Sequence, residues 1–169
     1  MDLFEAIQKR HSYRAGYIDQ TVSREDLIKI VQAGIQAPSG CNAQTTSFVI
    51  VDDPAVMTKL REIVRVSSPA VIACVIDSRP VYKGMSFNIE DCAAAVENML
   101  LAITALGYAS VWLDGVLRGE TGVKVGQLLG VPDTKRVQIL LPVGVPVEKG
   151  TQRERKPFDE RAWFNKYSA

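Results

Sequence analysis

Apolar residues recur at spacings of three and four along much of the chain, a period typical of amphipathic helices. Ser23 and Asp53 are suited to be N-caps, and Gly107 is suited to follow a helix C-terminus. The segment 87–106 is apolar around most of its circumference, so we expect a central helix buried against the sheet, another helix or a partner subunit. The pattern predicts helices over 3–10, 23–37, 53–64, 87–106 and 121–129.

Shorter apolar runs rich in β-branched residues predict the strands. The run 69–76 (PAVIACVI) is apolar throughout, which is typical of a strand buried on both faces. The run 136–146 is expected to form one core strand or two, because Pro142 and Gly144 interrupt it. The remaining predicted strands cover 47–51 and 109–113.

The order of these elements indicates the fold class. Helices and strands are interspersed without a regular βαβ repeat, so we expect an α+β fold with a mixed central β-sheet flanked by helices. No linker or internal repeat divides the chain, which predicts a single domain over residues 1–169. From about residue 148 onward the chain is polar but ends in aromatic residues such as Trp163 and Phe164. Such a C-terminal extension is expected to pack on its own domain or on a neighbour.

Composition narrows the class of protein. The 169 residues carry a formal net charge of +1, whereas a nucleic-acid-binding protein normally shows a strong basic excess. Three cysteines without a CxxC spacing fit a reduced protein and argue against a disulfide scaffold or a zinc site. We see no signal-peptide pattern and no apolar run of the roughly 20 residues that a membrane span needs. We therefore expect a cytoplasmic protein that binds neither nucleic acid nor membrane.

The stretch 10–14 (RHSYR) concentrates hydrogen-bond donors at the end of the first predicted helix. Guanidinium groups match phosphate oxygens bidentately and keep their charge at any workable pH. Considered alone, the stretch is explained equally well as a basic helix end favoured by the helix dipole. Two other stretches favour an anion or cofactor site: 38–44 (PSGCNAQ) has amides suited to a heterocycle edge, and 153–157 (RERKP) has a second arginine pair.

The chain offers no evident acid, base, nucleophile or metal site of its own. No GxGxxG follows a predicted strand, and no P-loop is present. His11 is the single histidine, and nothing near Cys41 in sequence would supply the base that a nucleophilic thiol needs. Glu90 and Asp91 open the long predicted helix, where acidic residues are ordinary partners of the helix dipole. If the protein is an enzyme, a cofactor must carry the reaction.

Four short motifs, in order along the chain, resemble those of the FMN-dependent nitroreductases. Each motif is weak alone, but the four together cover essentially the whole chain. They are Arg10-His11-Ser12-Tyr13-Arg14, Pro38-Ser39-Gly40-Cys41-Asn42-Ala43-Gln44, Leu113-Asp114-Gly115 and Arg153-Glu154-Arg155-Lys156-Pro157.

The resemblance implies a phosphate site for FMN. Arg10 and Ser12 would hold the phosphate, with His11 close by. Arg153 and Arg155 would reach the same phosphate from the C-terminal extension. Charge-assisted hydrogen bonds of this kind contribute about 1.5–3 kcal/mol each, whereas exposed ion pairs contribute about 0–1 kcal/mol.

The resemblance also implies contacts to the ribityl chain and the flavin ring. Arg14 would lie toward the ribityl chain and the pyrimidine edge, and the backbone at Asp114 and Gly115 would present an N–H toward flavin N5. Residues of a second subunit would line the ring and supply polar contacts: Pro38, Ser39, Gly40, Asn42 and Gln44.

The activity that the resemblance implies is that of an FMN-dependent NAD(P)H oxidoreductase. Hydride would pass from NAD(P)H through flavin N5 to a small acceptor, of nitroaromatic or quinone type, by a ping-pong mechanism that requires no catalytic side chain. The protein would be a homodimer with two flavins at its interface, and the C-terminal extension would reach the partner.

Three departures from the family pattern leave the identity of the electron acceptor open. Thr45 and Thr46 stand where many members have Pro-Trp, His11 stands where Arg is usual, and the chain is short for the family. Because the sequence predicts cofactor-binding residues but no substrate determinant, one alternative function is an FMN-binding or flavin-storage protein with little turnover. Another is an anion-binding domain without a flavin.

Overall fold

The computed structural model describes residues 1–167, and Ser168 and Ala169, at the end of the predicted C-terminal extension, lie outside the described residues. The helices are α1 (Leu3–Lys9), α2 (Arg24–Ile35), α3 (Pro54–Ile63), α4 (Asn88–Ala105) and α5 (Glu120–Leu128). The strands are β1 (Thr46–Val51), β2 (Ala70–Asp77) and β3 (Lys135–Val143), and short 3-10 turns cover Gly40–Asn42, Gly115–Leu117 and Phe158–Glu160. The predicted α+β class is confirmed, and each predicted helix is found within two residues of its expected ends.

The three strands form one sheet in the order β1-β2-β3, and both pairs are antiparallel. The predicted mixed sheet is therefore wrong for the described strands. The connection after β1 contains the 10 residues of α3, which are about 15 Å of helix. The non-helical segment 64–69 that follows is long enough to return the chain to its starting edge. As a result β2 begins beside the end of β1, with Val71 opposite Val51.

The central strand β2 is covered on both faces, as its uniform apolar run predicts. Ala70, Ile72, Cys74 and Ile76 pack with buried residues of α2 and α4 on one face. Val71, Ala73 and Val75 pack with buried residues of α3 and α5 on the other. The alternation follows from the two-residue period of a strand, and it divides the core into two layers.

Helix α4 is the central helix that the sequence predicts. Its side chains Val96 and Met99 are fully buried between α2 and the sheet. Cys92 meets Cys74 of β2, and this contact together with burial raises the pKa of the Cys74 thiol well above its ordinary value. Among the helices in residues 1–167, none has the length and apolar character required to cross a bilayer.

The segment 109–113 is not the continuous strand that was predicted. It pairs with β3 and the residues after it at two isolated positions, Ala109 with Gly144 and Leu113 with Leu140. Midway between these points the β3 residue that faces the segment is Pro142, which has no N–H to donate, so the pairing is interrupted there. The Ser110 carbonyl accepts the Tyr13 N–H at 2.9 Å on the other side of the segment.

Strand β3 continues through Pro142 because the missing N–H points away from β2. Leu140, two residues earlier, directs its N–H and C=O to Leu113 on the outer edge. Residues two apart along a strand direct their backbone groups to the same side, so position 142 needs no donor toward β2. Of the two predicted alternatives, one core strand or two, the structure has one strand, which ends at Val143.

Candidate functional site

The arginine-rich stretch begins where α1 ends. Arg10 is the C-cap residue, and its N–H donates to the Ala6 carbonyl at 2.9 Å. Its guanidinium is 15% exposed and lies over α4, with Nε 3.6 Å from Oε1 of Glu97. This places the Arg10 side chain against the surface of α4.

Beyond Arg10 the chain leaves the helix and alternates between inward and outward positions. Tyr13 is buried, and its hydroxyl donates to the Gly16 carbonyl at 2.7 Å. Ser12 and Arg14, on either side of it, are exposed. Because Tyr13 is fixed in the core, the two neighbouring polar side chains face outward next to the Ser110 segment.

The C-terminal extension folds back onto this stretch through Gln152. Its Nε2 donates to the Arg10 carbonyl at 2.6 Å, and its Oε1 accepts from Nη2 of Arg155 at 3.0 Å. Arg153 and Arg155 are exposed, like Ser12 and Arg14. The structure therefore places both arginine-bearing segments in one region. We call the side chains of Arg10, Ser12, Arg14, Arg153 and Arg155 the cation cluster.

The ring of His11 serves as a packing surface for the extension. A Cβ on Gly150 would lie 2.8 Å from His11 Cδ2, so only a glycine fits against the ring. Nδ1 lies 2.9 Å from the Lys9 carbonyl, which can only accept, so we assign the ring hydrogen to Nδ1. Nε2 is buried without a hydrogen-bond partner among the described residues. The position of His11 close to the FMN phosphate, which the resemblance implies, stays a prediction.

The residues 38–44, which we call the amide loop, have an unusual backbone. Cys41, Asn42 and Gln44 have φ values of 52°, 52° and 49°, in the left-handed region that non-glycine residues rarely adopt. Ser39 Oγ accepts the Gln44 N–H at 3.0 Å and thereby closes the loop on itself. The loop presents the side chains of Asn42 and Gln44 to solvent.

One buried carboxylate connects the amide loop to α4. Asp91 is 5% exposed, and its Oδ1 accepts the Gly40 N–H at 2.8 Å while its Oδ2 accepts the Thr45 hydroxyl at 2.7 Å. Gly40 also packs directly on Phe87, since a Cβ there would lie 2.8 Å from Phe87 Cβ. The sequence predicted Asp91 only as a partner of the helix dipole. Its hydrogen bond to Gly40 joins residues 51 positions apart, so no local sequence pattern indicates this role.

A cavity of about 410 Å³ opens beside the amide loop, a size within the range of small-ligand pockets. Its wall includes Pro38, Ser39 and Gln44 from the loop and Asp91 beneath it. A larger depression of about 560 Å³ lies between α5 and the start of β3. Of the predicted site residues, all of which lie within residues 1–167, Asp114 alone lines this second depression.

Asp114 and Gly115 follow the bridge between Leu113 and β3 and open a 3-10 turn, in which the Leu117 N–H donates to the Asp114 carbonyl at 2.9 Å. Both residues are exposed. The segment that leads to them passes Tyr13, whose N–H donates to the Ser110 carbonyl four residues before Asp114. The amide loop contacts α4 at Asp91, which is six positions, a rise of about 9 Å, from Glu97, the residue that Arg10 approaches.

The family follows from comparison with known proteins. The sequence model of the nitroreductase family matches residues 7–74 and 68–145 of this chain. The chain belongs to the nitroreductase family. The resemblance inferred from the four motifs is thereby confirmed.

Relatives and solved structures in this family cover nearly the full chain. A protein of Archaeoglobus fulgidus, named for NADH dehydrogenase and NAD(P)H nitroreductase activity, is 32% identical over 88% of this chain and 87% of its own. A crystal structure from Parabacteroides distasonis with the same designation has a TM-score of 0.84 at 26% identity, covering 98% of both chains. An FMN-dependent nitroreductase structure from Clostridium difficile, at 24% identity, has a TM-score of 0.82 over 97% of this chain and 99% of its own, and shares the fold.

Proposed function

We propose that this member of the nitroreductase family is an FMN-dependent NAD(P)H oxidoreductase. The observation that carries the proposal is the convergence of the two arginine-bearing segments through Gln152, which hydrogen bonds to both Arg10 and Arg155. The names of relatives support it: one is named for NAD(P)H nitroreductase activity, and one of Staphylococcus haemolyticus, 27% identical, is called an NADPH-dependent oxidoreductase.

The cation cluster fits a phosphate monoester. Such a group carries about −1.5 to −2 charges at neutral pH and accepts several hydrogen bonds. Arg153, Arg155 and Ser12 are exposed and offer charged or hydroxyl donors, and the partly buried Arg10 anchors the centre of the region. In the proposed complex these four residues hold the FMN phosphate, and Arg14 lies toward the ribityl chain and the pyrimidine edge.

Bound FMN supplies the chemistry, since its N5 accepts and returns hydride. The chain's own residues bind and orient it. The backbone N–H groups at Asp114 and Gly115 would face N5, and the amide loop of a second subunit would line the ring through Pro38, Ser39 and Gly40. Asn42 and Gln44 supply the polar contacts, and no side chain is assigned a proton-transfer role.

A second copy of the chain is part of the proposal. Phe4 of α1 is 74% exposed, and Phe164 and Tyr167 near the end of the extension are 84% and 77% exposed. Large exposed apolar side chains of this kind are typical of surfaces that another molecule covers. We propose that the extension, from about residue 148, reaches the partner of a homodimer, with the chain otherwise forming one domain.

The electron acceptor is proposed to be a small nitroaromatic or quinone that follows NAD(P)H into the same pocket, in a ping-pong sequence. Thr45 is buried beside the cavity, and Thr46 has a buried hydroxyl without a hydrogen-bond partner among the described residues. Two small hydroxyl residues at this place leave room beside the amide loop. The cytoplasmic location stays a prediction.

The test is anaerobic mixing of the FMN-loaded protein with NADH or NADPH. We expect one of the two nucleotides to bleach the visible flavin absorbance, and a quinone or nitroaromatic added afterwards to restore it. If the protein binds FMN but neither nucleotide bleaches it, the reductase proposal is wrong and the flavin-storage alternative is favoured.

A further inference from the structure

The amide loop has a backbone that its own residues do not favour. Three of its residues, Cys41, Asn42 and Gln44, are left-handed, and only Asn is commonly found in that region. Left-handed non-glycine residues persist where the surrounding structure holds them. The loop therefore needs an anchor outside itself.

Asp91 supplies this anchor at both ends of the loop. Oδ1 accepts the N–H of Gly40, before the left-handed residues, and Oδ2 accepts the hydroxyl of Thr45, after them. Hydrogen bonds to a carboxylate are stronger than those between neutral groups, and burial of Asp91 at 5% exposure strengthens them further. The span between the two bonds includes every left-handed residue of the loop.

The position of Asp91 on α4 makes the anchor rigid. The Asp91 N–H donates to the Phe87 carbonyl at 2.8 Å, so the residue lies in the first turn, where the helix dipole favours a negative charge. Its neighbour Cys92 is fully buried against β2. The carboxylate is thus fixed to the core, while Glu90, the other acidic residue of this turn, is exposed.

We propose that Asp91 is a positioning residue that sets the conformation of the amide loop and thereby the affinity for the flavin ring. The inference rests on the proposed function, in which the loop lines the ring. It assigns Asp91 no contact with the flavin and no effect on the phosphate. The two halves of the site are therefore expected to respond differently to substitution.

The experiment compares FMN with riboflavin, which has the same ring and no phosphate. Dissociation constants for both are measured by fluorescence titration of flavin-free protein. Asp91→Ala is expected to weaken both ligands by the same factor, about tenfold or more, because two hydrogen bonds to a charged group are lost. Arg155→Ala is expected to weaken FMN alone. Glu90→Ala, the matched control, is expected to match the wild type.

A conservative variant separates positioning from charge. Asp91→Asn can place its amide oxygen on the Gly40 N–H and donate from its amide nitrogen to Thr45, so it is expected to bind riboflavin more tightly than Asp91→Ala. Wild-type riboflavin affinity in Asp91→Ala would overturn the inference. If Asp91→Ala does not fold, Thr45→Val decides: a loss of riboflavin affinity of several-fold supports the inference, and unchanged affinity overturns it.

Failure of this inference is distinguishable from failure of the proposed function. If the wild type and Glu90→Ala bind FMN while Asp91→Ala binds it equally well, only the role of Asp91 is wrong. If the wild type itself does not bind FMN, both proposals are wrong.

Discussion

The cation cluster and the amide loop are held in place in opposite ways. The cluster consists largely of exposed side chains, and its two segments are connected by one amide, that of Gln152. The amide loop consists of small residues in a constrained backbone, and it is connected to the core by the buried carboxylate of Asp91.

The difference shows how the two regions can contribute to binding. Long arginine side chains adapt to a ligand after it arrives, so each contributes through its own direct contacts. The amide loop is held by Asp91, so under our proposal a residue that does not contact the ligand controls the shape of the loop. Substitutions in the cation cluster should therefore change the affinity for phosphate, whereas substitutions that affect the amide loop should change the shape of the ring pocket.

The largest effect is expected from removing an arginine of the cluster. Arg10→Ala and Arg155→Ala should each weaken FMN binding by about ten- to hundredfold, the equivalent of about 1.5–3 kcal/mol for hydrogen bonds between charged groups. The dissociation constant of FMN is measured by fluorescence titration. Arg24→Ala is the control, because Arg24 pairs with Asp52 and is not part of the cluster. Wild-type affinity in either cluster variant would remove that arginine from the phosphate site.

A methyl group at Gly40 should damage the amide loop and leave the cluster intact. The added Cβ of Gly40→Ala would overlap the side chain of Phe87, and overpacking of this kind costs about 1–3 kcal/mol. Thermal unfolding should show a lower Tm. Gly16→Ala is the matched control, because its Cβ would meet Val147 Cγ2 at 3.8 Å, an ordinary contact. Equal Tm values for the two variants would contradict the prediction, because they would show that the loop accommodates the added methyl group without loss of stability.

Loss of the amide that joins the two arginine-bearing segments should have a smaller effect. Gln152→Ala removes the hydrogen bonds to the Arg10 carbonyl and from Arg155, each worth about 0.5–1.5 kcal/mol. We expect faster tryptic cleavage after Arg153 and Arg155 in the flavin-free protein, with Gln127→Ala on α5 as the control. Identical cleavage rates in the variant and the wild type would mean that Gln152 does not hold the extension.

The smallest effect at neutral pH is expected at Tyr17, beneath the cluster. Burial, with a contribution from Tyr13, raises the pKa of the Tyr17 hydroxyl far above its ordinary value, and the hydroxyl has no hydrogen-bond partner among the described residues. The unfolded chain ionises first, at about pH 10, so titration of Tyr17 leaves the free energy of unfolding unchanged below that pH and lowers it as the pH rises further.

Tyr17→Phe removes the group and should remove its part of the alkaline decline. Thermal unfolding from pH 7 to pH 11 should show a Tm for the variant at least equal to that of the wild type at pH 7, with a difference that grows above about pH 10. A decline of the same size in both proteins would contradict this role of Tyr17.

The elements that the sequence predicted well depend on local chemistry. Ser23 and Asp53 accept N–H groups at the starts of α2 and α3, and Gly107 follows α4 with a φ of 85°. The cation cluster was visible for the same reason, since its arginines stand in short motifs. Segment 109–113 was predicted wrongly because its pairing depends on a distant part of the chain, where Pro142 faces it without an N–H to donate.

The support of the candidate site could not be predicted, since it depends on contacts between distant residues. Asp91 reaches Gly40 across 51 residues, and Gln152 reaches Arg10 across 142. Asp91 has the ordinary features of a helix N-terminus, and Gln152 those of a polar tail. Their roles exist only once the sheet has brought α4, the amide loop and the extension together.

The most direct test of a single cofactor site built from both regions is titration of flavin-free wild-type protein with FMN and with riboflavin. We expect saturable binding of one FMN per chain and weaker binding of riboflavin. The ratio of the two dissociation constants should be at least as large as the factor by which Arg155→Ala weakens FMN binding. Equal affinity for the two ligands would contradict a phosphate site at the cation cluster, and no binding of either would contradict the flavin site as a whole.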